Sequence, residues 1–235
     1  MLTLGFAAQA FGTNCYVLAP AAGSECVIVD PGIGVVDRLD EIMREHRLKP
    51  VAVLLTHGHL DHVYSVTPVC GTRDVPAYIH GDDAYRLADP LSTLDPLLVA
   101  MFEQQFGAAA KWSEPDDVRR ITDGSVLELA GLRMTIDHAP GHTEGSVMFR
   151  LPGTVDGGAD SAELCVSGDV LFAGSIGRTD LPGGDHAAML RSLALKVLPL
   201  RDDTRVLPGH GPATTIGRER ATNPFLQGLR SPAQP

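Results

Sequence analysis

A run of five apolar residues, Val51-Ala52-Val53-Leu54-Leu55, is closed at once by Thr56-His57-Gly58-His59-Leu60-Asp61-His62. The first run is short, branched and without alternation, the pattern of a strand buried on both faces. The second sets three imidazoles and one carboxylate, all ligand-type groups, into the six positions 57–62 at the strand's end. With 9 histidines in 235 residues, that density does not follow from composition, and a merely solvated His-rich loop is the weaker alternative. A chain of this kind is constrained to deliver a buried strand end to a metal-sized site.

One such loop cannot close two metal shells, because each ion takes about four ligands of nitrogen or oxygen type, one of them water. Three further segments offer the remainder: Ala139-Pro140-Gly141-His142-Thr143, Val166-Ser167-Gly168-Asp169 and Leu207-Pro208-Gly209-His210-Gly211-Pro212. Each follows or ends a predicted strand, with glycine allowing the sharp turn. A lone His or Asp in such a turn is usually structural; the ordered set is what carries the signal.

Apolar, β-rich runs are predicted as strands at Leu4–Phe11, Cys15–Leu18, Cys26–Val29, Val51–Leu55, Ala77–Ile79, Val126–Leu129, Leu132–Ile136, Val147–Leu151, Leu164–Val166 and Arg205–Leu207. Helical spacing marks Val36–Arg47, Asp83–Ala88, Pro96–Phe106 and Ala187–Leu198. Early strands are joined by turns and later ones alternate with helices, which predicts a layered α/β structure with antiparallel and parallel pairing. Gly157-Gly158 reads as an exposed hairpin loop. The chain is expected to form one domain over residues 1–230, with Ser231–Pro235 a flexible tail.

Composition narrows the function classes. A net charge of −10, with 19 scattered basic residues, argues against a nucleic-acid partner, which requires clustered Lys and Arg. No window reaches the roughly 18 apolar residues of a membrane span, so no membrane association is expected. The first basic residue is Arg38, so the apolar N-terminal stretch reads as a strand rather than a signal peptide. Cys15, Cys26, Cys70 and Cys165 form no C-x-x-C, which suggests a reducing cytoplasm. Nothing in the sequence fixes an oligomeric state.

The ordered set T-H-x-H-x-D-H, P-G-H-T, G-D and P-G-H-G resembles the metallo-β-lactamase superfamily, and within it the glyoxalase II-like branch, the hydroxyacylglutathione hydrolases. Similarity extends over Asn14-Cys15-Tyr16, Val29-Asp30-Pro31-Gly32, Gly174-Ser175-Ile176-Gly177-Arg178-Thr179-Asp180 and Gly211-Pro212-Ala213-Thr214-Thr215-Ile216-Gly217, as in the short bacterial members. The resemblance implies an αββα sandwich with the metals at one edge of two packed sheets. It implies one metal on His57, His59 and His142, a second on Asp61, His62 and His210, and Asp169 bridging them. The cofactors implied are two divalent ions, zinc first, with iron or manganese as alternatives. Asp61 and Asp169 are also expected to orient the nucleophilic water.

The implied reaction is hydrolysis of a small-molecule thioester, an S-(2-hydroxyacyl) thiol such as S-lactoyl-glutathione, to a hydroxy acid and free thiol. A thiolate, with a pKa near 8.5, leaves without a strong general acid. Only 23 residues follow Pro212, fewer than the C-terminal helical region that binds glutathione in larger glyoxalase II enzymes, so another thiol carrier is an open expectation. The rival readings are a persulfide dioxygenase with one iron on His57, His142 and Asp169, and a non-catalytic metal-binding protein. Arg178 is expected either to contact an anionic part of the substrate or to form an internal salt bridge.

Other residues are expected outside the metal shell. Asp30 should support the site through loop backbone, His46 should face solvent at a helix end, and His80 and His138 should be supporting or surface groups. His186 should open a helix, and Cys15 should belong to the core.

Overall fold

The computed structural model describes residues 1–91, 94, 99–100, 104, 113–153 and 162–229. Most of the expected helix over Pro96–Phe106, the Gly157-Gly158 loop and the Ser231–Pro235 tail lie outside them. Among the described residues, twelve strands form two six-stranded sheets, ordered β1-β2-β3-β4-β5-β6 and β12-β11-β10-β9-β8-β7. In the first, β1 (Leu2–Ala7), β2 (Asn14–Ala19) and β3 (Glu25–Val29) are antiparallel neighbours. From β3 onward, β4 (Lys49–Leu54), β5 (Ala77–His80) and β6 (Val118–Ile121) run parallel. In the second, β7 (Val126–Leu129), β8 (Leu132–His138), β9 (Val147–Leu151) and β10 (Leu164–Gly168) are antiparallel, β11 (Arg205–Pro208) lies parallel to β10, and β12 (Thr214–Thr215) closes the edge.

The two-residue period of a strand sorts its side chains between layers. Val27 and Val29, Ala52 and Leu54, Leu164 and Val166 point between the sheets, where they meet Met134, Ile136 and Phe149. Their neighbours Cys26, Ile28, Val53 and Leu55 face the opposite side of the first sheet, packing against Leu39 and Ile42 of α1 (Val36–His46) and Val66, Val69 and Cys70 of α3 (Val66–Arg73). Cys165 and Val206 do the same on the second sheet, against Met189, Leu193 and Val197. Two buried faces explain why these strands are apolar throughout. The result is the expected αββα sandwich. Phe149 is fully buried, and a Phe149→Ala cavity would cost about 3–5 kcal/mol.

Several elements differ from expectation. The first strand is Leu2–Ala7 rather than Leu4–Phe11, because Phe11 and Gly12 take positive φ in the turn to β2. Gly81–Leu87 is a 3-10 segment. The C-terminal helix expected over 187–198 is α4 (His186–Ser192), continued by a π turn at Leu193–Val197. Five elements lie outside the expected set: β6, whose Arg119 and Arg120 are exposed; the two-residue β12; α2 (Leu60–Val63), a single turn inside the histidine run; α3; and α5 (Ile216–Thr222), capped by the Thr215 hydroxyl accepting from Arg218 N–H. No helix among the described residues is long and apolar enough to cross a membrane.

Candidate metal centre

All the expected ligands follow the C-terminal ends of strands that point to one edge of the sandwich. The run 57–62 follows β4, His142 follows β8, Asp169 follows β10 and His210 follows β11. The first loop belongs to one sheet and the other three to its partner, so the ligands meet across the sheet–sheet seam.

They converge in three overlapping groups, His57/His59/His142, His57/His62/Asp169 and Asp61/His62/His210, with ligand atoms within 4.8 Å of one another in each. Asp169 Oδ2 lies 3.4 Å from His142 Nε2 and 3.5 Å from His210 Nε2, while Oδ1 is 3.3 Å from His62 Nε2. His210 Nε2 is 3.3 Å from Asp61 Oδ2, and His59 Nδ1 is 2.8 Å from His142 Nε2. Ligands at 2.0–2.1 Å from a tetrahedral cation stand roughly 3.3 Å apart, so the 3.3–3.5 Å separations around Asp169 and Asp61 fit metal shells, while His59 and His142 stand closer. A second observation agrees: His57 Nε2 and Asp169 Oδ1 are buried without a hydrogen-bond partner, a costly state for polar atoms that a cation would relieve.

Neighbouring residues orient the ligands. Asp30, at φ 49°, accepts from Thr56 N–H at 2.8 Å and Thr56 Oγ1–H at 2.6 Å, and takes His62 Nδ1–H at 2.9 Å. His142 Nδ1–H donates to the Arg178 carbonyl at 2.7 Å. Such bonds fix each tautomer and turn Nε2 toward the centre. Thr13 Oγ1–H donates to Asp61 Oδ2 at 2.6 Å. The His210 loop is held by Asn14 Nδ2–H, donating to the carbonyls of Pro208 and Gly211, and by Tyr16 O–H, donating to Pro208 O at 2.7 Å.

Electrostatics divides the imidazoles. Burial, reinforced by neighbouring rings, pushes His57 well below the ordinary histidine range and His59 down to about 3. His142 is lowered by burial too. Burial also opposes charge on His62 and His210, but Asp61 and Asp169 prevail and raise both. Burial would raise Asp61 and Asp169, yet the facing histidines hold both carboxylates low. His57, His59 and His142 thus present neutral nitrogens and the two aspartates ionised oxygens, the forms that bind cations, whereas His62 and His210 must each shed a proton to take one.

The remaining expectations resolve individually. The Arg178 side chain forks onto Asp180 with two 2.8 Å contacts, both residues exposed. His80 and His138 stack at 3.9 Å and 11°, joining the ends of β5 and β8. With Asp82 they form another ligand-type group, but His138 Nε2 is engaged by the Glu144 carbonyl at 2.8 Å and His80 Nδ1 accepts Asp82 N–H at 3.3 Å. His186 opens α4 and is exposed; Cys15 is fully buried. His46 is half-buried rather than solvent-facing. Sequence reasoning missed Thr13 and Asp83, whose partners are distant in the chain.

The sequence model of the metallo-beta-lactamase superfamily matches residues 8–210. Hydroxyacylglutathione hydrolase GloC of Haemophilus influenzae is 35% identical over 217 residues, covering 92% of this chain and 94% of that one. Two solved structures are similar at 35% identity: the BLEG-1 B3 metallo-beta-lactamase, with a TM-score of 0.76 over 97% of this chain and 100% of its own, and TTHA1623 in a di-iron-bound form, with a TM-score of 0.74 over 95% and 100%. With its fold, its strand-end histidines and a family match over most of its length, this chain belongs to the metallo-beta-lactamase superfamily.

Proposed function

We propose that the chain is a hydrolase that works with two divalent cations and cleaves S-(2-hydroxyacyl) thioesters, such as S-lactoyl-glutathione or the conjugate of another small thiol, in a reducing cytoplasm. The observation that carries this reading is Asp169, whose two oxygens lie 3.3–3.5 Å from imidazole nitrogens of both histidine groups. In this assignment His57, His59 and His142 would hold one cation and Asp61, His62 and His210 the other, with Asp169 a ligand common to both. When bound, such a pair supplies Lewis acidity and brings the pKa of water toward 7. Asp61 and Asp169 present carboxylate oxygens that orient the attacking water, and Thr13 fixes Asp61 for that task. Cys15 serves no nucleophilic role, because burial pushes its thiol well up and keeps it protonated.

The substrate class rests on the leaving group and on the relatives. Each imidazole of the centre is assigned to a cation, which leaves none as a strong general acid; a thiolate departs without one. Similarity to GloC supports this choice. Zinc suits the His and Asp donors, and the di-iron neighbour makes iron the alternative. Similarity to a B3 β-lactamase supports β-lactam hydrolysis at the same centre as the second reading.

Elemental analysis of the purified protein, with assays on S-lactoyl-glutathione, a β-lactam and glutathione persulfide, tests the proposal. Two metals per chain and thioester hydrolysis are expected. β-Lactam turnover without thioesterase activity favours the second reading. One iron with oxygen consumption on the persulfide overturns both.

A further inference from the structure

Asp83 is fully buried in the first turn of the 3-10 segment Gly81–Leu87, just beyond β5. Its Oδ2 accepts from Gly58 N–H at 2.8 Å and from Thr143 Oγ1–H at 2.7 Å, and its Oδ1 accepts from Gly145 N–H at 2.8 Å. Gly58 sits between His57 and His59, and Thr143 follows His142. One carboxylate thus grips both loops that supply the His57/His59/His142 group, which arise from opposite sheets and are joined beside it by Val147 N–H donating to Thr56 O at 2.8 Å.

The surroundings are shaped to this contact. A Cβ on Gly145 would fall 2.6–2.7 Å from Asp83, and one on Gly58 would fall 2.6 Å from the Arg86 side chain. Both loops therefore close down on the Asp83–Arg86 pair, whose Nε–Oδ1 distance is 3.5 Å. Arg86, also fully buried, donates through Nη2 to Glu144 Oε2 at 2.7 Å and to Pro182 O at 3.0 Å. The Thr143 hydroxyl has its own support: Ser146 Oγ lies 2.7 Å away and accepts Thr143 N–H at 3.1 Å, so the Thr143 proton is directed at Asp83.

We propose that Asp83 is a positioning residue for the metal centre, holding the loops of His57/His59 and His142 in register across the two sheets. The inference rests on the metal assignment above. A carboxylate suits the role because it accepts three donors at once, whereas an amide must turn its NH2 toward at least one of them. It is also selective, since none of its contacts reaches the His62 or His210 side of the centre.

The test is zinc titration of metal-free protein against a chelating indicator, on wild type, Asp83→Asn, Thr143→Val and the double variant. Two zinc sites in the wild type are the expected baseline; fewer overturn the metal assignment, and the positioning role with it, before any variant is measured. Asp83→Asn is expected to weaken one site about 10–100-fold and to leave the other within about threefold. kcat on the thioester should fall with KM little changed, as for a lost transition-state interaction. Thr143→Val removes one donor without changing shape, and should weaken the same site several-fold, with the double variant no worse than Asp83→Asn alone. Should Asp83→Asn fail to fold by circular dichroism, Thr143→Val decides alone. Wild-type affinity at both sites, or equal weakening of both alongside a lowered melting temperature, overturns the proposal.

Discussion

The carboxylate of Asp30 and the Nδ1–H of His62 form a 2.9 Å hydrogen bond in a region closed to solvent. The bond commits His62 Nε2 to the centre, and Asp30 also satisfies the backbone and hydroxyl of Thr56. Asp30→Ala leaves these buried donors unpaired, which should cost about 1–3 kcal/mol each and weaken the metal on the His62 side about 10–100-fold. Urea unfolding of metal-free protein and zinc titration measure the two effects separately. Unchanged zinc affinity in a folded variant would show that the bond is structural alone.

Asp169 offers both oxygens to the centre, and its replacement removes negative charge from between two proposed cations. Asp169→Ala should lose the second metal and several orders of magnitude in turnover, with a native circular dichroism spectrum because the core lies elsewhere. Asp169→Asn keeps an oxygen without its charge and should fall between wild type and alanine. Two retained metals with near-normal activity in the alanine variant contradict the bridging assignment.

Tyr16 reaches from β2 in one sheet to the Pro208 carbonyl in the other, two residues before His210. Tyr16→Phe keeps the packing and removes one of the two side-chain hydrogen bonds to Pro208 O, the Asn14 Nδ2–H bond remaining. A loss of about 0.5–1.5 kcal/mol is expected, with weaker zinc binding on the His210 side. Equilibrium denaturation and zinc titration of the same preparation check both parts.

Acid should destabilise the metal-free protein through its histidines. Burial holds His57, His59 and His142 below their ordinary range, with His59 at about 3, whereas the unfolded chain titrates near 6.5. The folded state therefore binds fewer protons as pH falls below 6.5. Stability present above that value is lost on the way down, by up to about 1.4 kcal/mol per pH unit per imidazole. His62 and His210 are raised, so their contribution is fully present only below the unfolded pKa of about 6.5 and offsets the slope above it. The urea midpoint should fall steadily from about pH 6 to about pH 5; a flat profile there would contradict the neutral assignment of the three rings.

The sequence made the metal edge more legible than its supports. His57, His59, Asp61 and His62 share one short run, and His142, Asp169 and His210 each sit at a glycine turn after an apolar strand, so residue type and local pattern coincide. Asp83 carries no such mark. It lies in a polar stretch where an aspartate ordinarily faces solvent, and its partners Gly58, Thr143 and Gly145 are 25, 60 and 62 positions away. Thr13 pairs with Asp61 across 48 positions, and one threonine in a turn gives no hint of that. Among the elements, Val118–Ile121 was missed because two arginines interrupt its apolar pattern, and strand pairing with β5 rather than propensity makes it a strand.

The ligand loops are divided between the sheets, and this makes the centre a joint product of two halves of the chain. Residues 57–62 are synthesised long before 142, 169 and 210, so the nascent first half carries four donors with no means of enclosing an ion. On the proposed assignment an ion would be captured only after the second sheet has docked, and it would then rivet the halves together. Thr122–Ser125 is the single short crossing from one sheet to the other between β6 and β7. A backbone cut there would convert the molecule into two complementary fragments whose reassembly follows the concentration of free divalent metal.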